Sequence, residues 1–327
     1  VTGKRYLVTG AAGFIGAKVA EFLAQDGHEV IGVDNFNDAY DVRIKRWRAQ
    51  KISGLPGLEL VAQDICDLAG MDGLLKSSAP VDGVINLAAR AGVPASVKDP
   101  WIYLETNARG TINLLELCRI HGISKFVLAS TSSLYGTRNP MPFREDADTN
   151  HPLSPYAASK KAAEVITYTY HFLYGLDVTV FRYFTVYGPA GRPDMSLFRF
   201  CQWIAEGRPL RLYGDGSYTR DFTFVDDIAR GTILGLQPAG YEIVNLGNDK
   251  PHSMMETIRI LEKLIGRQAE IEYLPAQSAD MPATWADISK ARQLLGWNPE
   301  VPLEEGLRRL VDWYLTEREW ASQVLTE

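Results

Sequence analysis

A short apolar run, Arg5–Thr9, leads directly into three spaced glycines, Gly10-Ala-Ala-Gly13-Phe-Ile-Gly16, and then into a helical pattern. Few folds accept that order. Gly10 permits a tight turn, Gly13 lets backbone approach a pyrophosphate, and Gly16 lets the helix pack close to the strand. The start of such a helix offers unpaired N–H groups and partial positive charge to phosphates. An acidic residue, Asp34, closes the next apolar run, Glu29–Asp34, 18 residues past Gly16. A carboxylate there accepts both hydroxyls of a ribose and repels a 2′-phosphate. The pattern therefore predicts NAD in preference to NADP.

Apolar runs and helical patterns go on alternating. Leu58–Ala62, Gly83–Leu87, Lys125–Ser130 and Asp177–Arg182 read as strands. Gly13–Asp26, Tyr103–His121 and Tyr156–Tyr174 carry apolar residues at helical spacing. The expected fold class is α/β, a Rossmann-type doubly wound parallel sheet covered on both faces. After Tyr187 the regularity fades, and Gly, Pro, Arg and Asp crowd Gly188–Asp194 and Gly214–Asp221. The predicted division is an NAD-binding domain over residues 1–185 and a smaller mixed α/β substrate domain over 186–327. The segment 222–235 is a candidate to return and pack on the first domain. Leu303–Leu325 reads as a charged amphipathic helix, a solvated cover.

Composition excludes several classes. The 327 residues suit about two domains. With 34 basic against 40 acidic residues and no long basic run, a nucleic-acid partner is not expected. No apolar run reaches the ~18–20 residues of a membrane span, and the start lacks a signal-peptide pattern. The opening at Val1 is read as the trace of a trimmed short leader. Cys66, Cys118 and Cys201 lie far apart, and the five histidines show no ligand spacing. Neither a disulfide framework nor a metal site is expected, and a reducing cytoplasm is the implied compartment.

Further residues point to chemistry at the strand ends. Asp64-Ile65 follows the third strand, where it either meets an adenine or caps a helix. Asn86-Leu-Ala-Ala89 ends the fourth strand with small residues, which make room for a cofactor or pack a helix. Tyr156-Ala-Ala-Ser-Lys160 opens a helix behind Pro155, so phenol and ammonium share one face. A tyrosine of pKa about 10 is a poor base at neutral pH unless cations stabilise its phenolate. Lys160 and a cationic nicotinamide are the expected sources. Ser130-Thr131-Ser132-Ser133 at a strand end supplies hydroxyls to a reacting oxygen, or simply caps turn amides.

Together Thr9–Gly16 (TGxxGFxG), Tyr103–Asn107 (YxxxN), Tyr156–Lys160 (YxxxK) and the hydroxyl run resemble the extended short-chain dehydrogenase/reductase family. The resemblance covers nearly the whole chain. It implies strand order 3-2-1-4-5-6 and a C-terminal domain that grips a nucleoside diphosphate sugar. It also implies a homodimer formed through the helices Tyr103–His121 and Tyr156–Tyr174. By the same resemblance, Tyr156, Lys160, Thr131 and Ser132 are catalytic. Gly10, Gly13, Phe14, Ile15, Gly16, Asp34, Asp64, Ile65, Ala88, Asn107, Tyr156 and Lys160 hold NAD.

Branches of this family differ after the reactive hydroxyl. Its dehydratases and decarboxylases carry an acidic residue there, whereas this chain reads Thr131-Ser-Ser-Leu-Tyr-Gly136. Phe181–Met195 and Ala88–Val93 resemble the branch that epimerises UDP-hexuronic acids at C4, taking UDP-glucuronate to UDP-galacturonate. Arg90 stands where that branch has Gln, and no role is carried to it. Thr185, Arg192, Arg220 and Asp280 are the substrate residues this implies, Arg220 for the pyrophosphate. Oxidation at C4 of a glucuronate gives a β-keto acid, which loses CO2 when its carboxylate bond aligns with the carbonyl π system. A guanidinium fork restrains a carboxylate through two parallel hydrogen bonds. Arg192 is assigned that role, with an ion pair to Asp194 or a solvated loop position as the bland alternative. Epimerisation of UDP-glucose and UDP-galactose, or decarboxylation or net oxidation of UDP-glucuronate, are the other activities the family allows. A non-catalytic nucleotide sensor is a further class, disfavoured because both Tyr156 and Lys160 are present.

Overall fold

The computed structural model describes residues 3–78, 80–275 and 281–326. Its strands are β1 (Arg5–Thr9), β2 (Glu29–Asp34), β3 (Leu58–Ala62), β4 (Gly83–Asn86), β5 (Lys125–Thr131) and β6 (Asp177–Tyr183). They continue with β7 (Thr185–Tyr187), β8 (Leu210–Tyr213), β9 (Thr219–Phe224), β10 (Tyr241–Leu246), β11 (Pro251–Ser253) and β12 (Ile271–Leu274). Seven form one sheet in the order β3-β2-β1-β4-β5-β6-β10, with every neighbouring pair parallel. All residues of β4 and β5 are buried, as helices on both faces require. The order reverses between β1 and β4, where Thr9 stands opposite Asn86. A crevice opens at such a switch point, beyond the C-terminal strand ends.

The division predicted at 185 is crossed again further on. The helix Val225–Leu234 packs on Phe14–Gln25, and β10 then enters the first sheet beside β6. Val244 and Leu246 are fully buried there. Without β10, the apolar strand β6 would be an unpaired edge, which native sheets avoid. The smaller lobe keeps a three-stranded sheet, β11-β9-β7, and the pair β12-β8. The helices Ser196–Glu206, Met254–Ile265 and Leu303–Thr316 close around them.

Two helical expectations change. The segment predicted as a solvated cover, Leu303–Leu325, divides into Leu303–Thr316 and Arg318–Ala321. Its apolar stripe is core: Leu307, Leu310, Val311 and Tyr314 are buried with Phe198 and Ile258, and only the opposite face is charged. The predicted Tyr103–His121 helix is interrupted. Pro100–Leu104 and Gly110–His121 flank a wider π turn, Glu105–Arg109. That turn carries Asn107, which is buried.

A buried ion pair ties the helix Pro155–Tyr174 to the sheet. Arg182 on β6 donates from Nε and Nη2 to Glu164 on the helix Pro155–Tyr174, at 3.0 and 2.9 Å. Both side chains are about 2% exposed. Ser130 Oγ donates to Glu164 at 2.6 Å, and Arg182 Nη1 donates to Tyr135 Oη at 3.2 Å. Removing one partner strands the other charge, a loss of about 3–5 kcal/mol. Glu164→Gln should lower unfolding stability by that order. The double replacement Glu164→Leu with Arg182→Met should recover most of it, measured by urea denaturation; equal losses would contradict the stranded-charge account.

Candidate active site

The strand ends converge on one cleft of about 440 Å3. Its dinucleotide end is built as the glycine spacing predicts. Gly10 has φ +69°, and a Cβ there would lie 2.8 Å from the backbone of Leu87 and Ala88. A Cβ on Gly16 would lie 2.0 Å from the Gly10 carbonyl oxygen. No side chain caps the helix Phe14–Gln25, and no acidic residue occupies its first turn. Its positive end is therefore left to the cleft, where it suits a phosphate.

Asp34 closes β2, with its Oδ2 accepting from Ala12 N at 3.1 Å and its Oδ1 from Phe36 N at 2.8 Å. A carboxylate has about four acceptor positions, so two remain for ribose hydroxyls. Asp64 accepts from Cys66 N and from Asn35 Nδ2. Burial raises its pKa, but those bonds and the nearby Arg90 charge hold it below the usual carboxylate range. Beneath the cleft, Thr9 Oγ1 donates to Asn86 Oδ1 at 2.7 Å and accepts from Ala88 N at 3.2 Å. Glycine turn, unpaired helix end and ribose carboxylate together fit a dinucleotide such as NAD.

The acid–base end lies across the same cleft. Ser154 caps the helix Pro155–Tyr174 through Ala157 N, Pro155 holds its first turn, and Tyr156 follows. Thr131 ends β5, and Ser132 and Ser133 continue into a short 3-10 turn. Burial pushes the Tyr156 phenol up, while a hydrogen bond with Thr131 and the Arg192 charge pull it down. Lys160 is anchored on the neighbouring strand. Its Nζ donates to the Ala129 carbonyl at 2.9 Å, so it reaches back to β5 and does not hydrogen-bond the phenol. Burial lowers its pKa to about 8, and Glu164 partly opposes that. Lys160 is thus cationic below that pH and neutral above it.

Gly10, Gly13, Phe14, Ile15, Gly16, Asp34, Asp64, Ile65, Ala88, Thr131, Ser132, Tyr156, Lys160, Thr185 and Arg192 all line the cleft. Asn107 does not. Its amide donates to Arg90 O and Ser159 Oγ, both at 2.9 Å, and its Oδ1 accepts from Arg90 N at 2.8 Å. Its amide group thus braces Arg90 against Ser159. Tyr103 is likewise a prop, its ring meeting Tyr156 edge-on and its hydroxyl donating to Ala91 O and Gly92 O. Arg220 is not among the lining residues, and its Nη1 donates to Thr219 O. Asp280 lies outside the described residues.

Arg192 meets Asp194 through both arms of its fork: Nε donates to Oδ1 at 3.1 Å, and Nη2 pairs with Oδ2. Burial opposes its charge, but Asp194 overrides this and holds its pKa above the usual arginine range. Asn37, Tyr40 and Lys45 also line the cleft beside Asp34, with Lys45 Nζ 3.6 Å from Asp34 Oδ1 and 3.0 Å from Asn37 Oδ1. No motif marks Lys45, because the basic run Arg43–Arg48 reads as a solvated helix face.

A family model described as GDP-mannose 4,6 dehydratase matches residues 7–310, and the chain belongs to that family of extended short-chain dehydrogenases/reductases. A UDP-glucuronate 4-epimerase of Thermodesulfobacterium geofontis is 55% identical over 309 residues, 94% of this chain and 95% of that protein. The crystal structure of UDP-glucuronic acid 4-epimerase from Bacillus cereus with UDP-glucuronic acid and NAD is 36% identical, with TM-score 0.89. It aligns over 96% of this chain and 99% of that one. UDP-glucose 4-epimerase of Thermotoga maritima with UDP-glucose is 31% identical, with TM-score 0.88, over 96% and 99% of the two chains. No described helix is long and apolar enough to cross a membrane.

Proposed function

We propose that the protein is an NAD-dependent 4-epimerase of UDP-glucuronate, producing UDP-galacturonate. One observation carries the reading: the dinucleotide seat, the Tyr156–Thr131 pair and the Arg192 fork share one cleft. Similarity to the Thermodesulfobacterium and Bacillus epimerases supports the choice of substrate.

Bound NAD supplies the acceptor for the C4 hydride and returns it. Tyr156, as phenolate, takes the C4 hydroxyl proton and later gives it back. Thr131 hydrogen-bonds the same oxygen, and Ser132 lines the cleft beside it. Lys160, anchored to Ala129, adds positive charge and holds the nicotinamide ribose. The smaller lobe, with Thr185, Arg220 and Asp280, anchors the UDP-sugar while the 4-keto sugar turns over. Arg192 grips the sugar carboxylate and keeps it out of alignment with the C4 carbonyl. Asp194, a carboxylate already seated in that fork, is an internal stand-in for the substrate group.

The homodimer implied by the helices Tyr103–His121 and Tyr156–Tyr174 is part of the proposal. Its support is an apolar surface nearby: Trp101 is 78% exposed, Phe172 75% and Leu173 62%. A reducing cytoplasm suits the three free cysteines.

Incubation with UDP-glucuronate and catalytic NAD+ should yield UDP-galacturonate with no net NADH or CO2. Tyr156→Phe should cut that turnover by roughly 100-fold or more, while NAD stays bound. Released NADH, or full activity in the variant, would contradict the assignment. Sedimentation at micromolar concentration should show a dimer, and Phe172→Glu should shift it towards monomer. A wild-type monomer would refute the proposed interface.

A further inference from the structure

Arg48 is a buried cation that the chemistry above does not use. It sits in the helix Val42–Ile52 and is 4% exposed. Among the described residues no carboxylate forms an ion pair with it; backbone oxygens and rings surround it instead. Its Nε and Nη2 donate to Ala190 O at 2.9 and 2.6 Å, and Nη2 also reaches Gly191 O at 3.1 Å. Nη1 donates to Ala12 O at 3.2 Å and to Tyr40 Oη at 2.7 Å. The guanidinium lies over the rings of Phe14 and Tyr40, 5.6 and 5.5 Å from their centroids.

The places it joins matter. Ala12 lies between Gly10 and Gly13 in the phosphate turn, and Tyr40 lines the cleft near Asp34. Ala190 and Gly191 immediately precede Arg192. Ala190 has φ +50°, a left-handed conformation that is unfavourable for a non-glycine residue and persists where its surroundings hold it. Burying a guanidinium is costly unless its donors are well satisfied. Here one planar fork takes the strained carbonyl on one side and the cofactor turn on the other. A point charge such as lysine cannot make that two-sided contact.

We propose that Arg48 is the positioning residue for the carboxylate grip. It fixes the backbone stem of Arg192 against the dinucleotide turn, so one guanidinium aligns the place of sugar oxidation with the place where the carboxylate is held. Arg192's own side chain stays free to exchange Asp194 for substrate, because its stem is held from behind. The inference rests on the reading that Arg192 binds the sugar carboxylate.

The test is competition binding on NAD-loaded enzyme carrying Tyr156→Phe, which prevents turnover. The readout is the ratio of UDP-glucuronate to UDP-glucose affinity, with UDP as the control. Arg192→Ala should collapse the ratio. Arg48→Met should lower it by about tenfold, equivalent to 1.4 kcal/mol, with UDP affinity little changed. Arg48→Lys should recover only part of it, and it carries the test alone if the methionine variant does not fold. In the Tyr156-containing enzyme, Arg48→Lys should also raise the share of product that has lost CO2. If Arg192→Ala collapses the ratio and the Arg48 variants keep it, the positioning role is wrong. If Arg192→Ala leaves the ratio intact, the carboxylate reading fails first and takes this one with it.

Discussion

A half-buried phenol at the head of a helix resists ionisation, and the site is organised around that resistance. Burial raises the Tyr156 pKa and lowers that of Lys160 to about 8, driving both groups towards neutrality. Chemistry at neutral pH therefore needs added positive charge and a hydrogen bond aimed at the phenol oxygen. The neighbouring Thr131 hydroxyl and the Arg192 charge both pull the phenol down. Lys160 is held away from it, on the Ala129 carbonyl. A cationic nicotinamide is the remaining contribution the proposed chemistry calls for.

Much of the surrounding structure keeps those groups in register. The Arg182–Glu164 pair joins the helix Pro155–Tyr174 to β6, and Ser130 attaches to the same carboxylate from β5. Asn107, brought inward by the π turn, ties Arg90 to Ser159. Tyr103 leans on Tyr156 from the other side. Arg182, Glu164, Ser130, Asn107 and Ser159 are buried and hydrogen-bonded, which suits polar networks that specify one arrangement. Their work is to fix distances within the cleft.

The dinucleotide half of the site was legible because its signals are local. A strand, three glycines, a helix and an acidic strand end are contiguous in sequence, and each has a steric or electrostatic cause. Strands β1 to β6 are legible for the same reason, as short and largely apolar runs. β10 was not, because Tyr241–Leu246 follows a stretch of the other lobe and its pairing with β6 is set by tertiary closure. Lys45 and Arg48 escaped because a basic run looks the same whether it faces water or a cleft. The protein partners of Asn107 depend on a π turn that no periodicity reveals. Arg192 was foreseen both as a carboxylate ligand and as an ion pair with Asp194; the second is what the fork holds here.

The central claim is that one hydrogen leaves C4 and returns to the opposite face without meeting water. It is tested most directly with UDP-glucuronate carrying deuterium at C4, followed by mass spectrometry of the UDP-galacturonate formed. The account predicts full retention of deuterium at C4 in the product and none in the solvent. Loss of the label to water during turnover would mean that the carbon is deprotonated instead, and the account would be wrong.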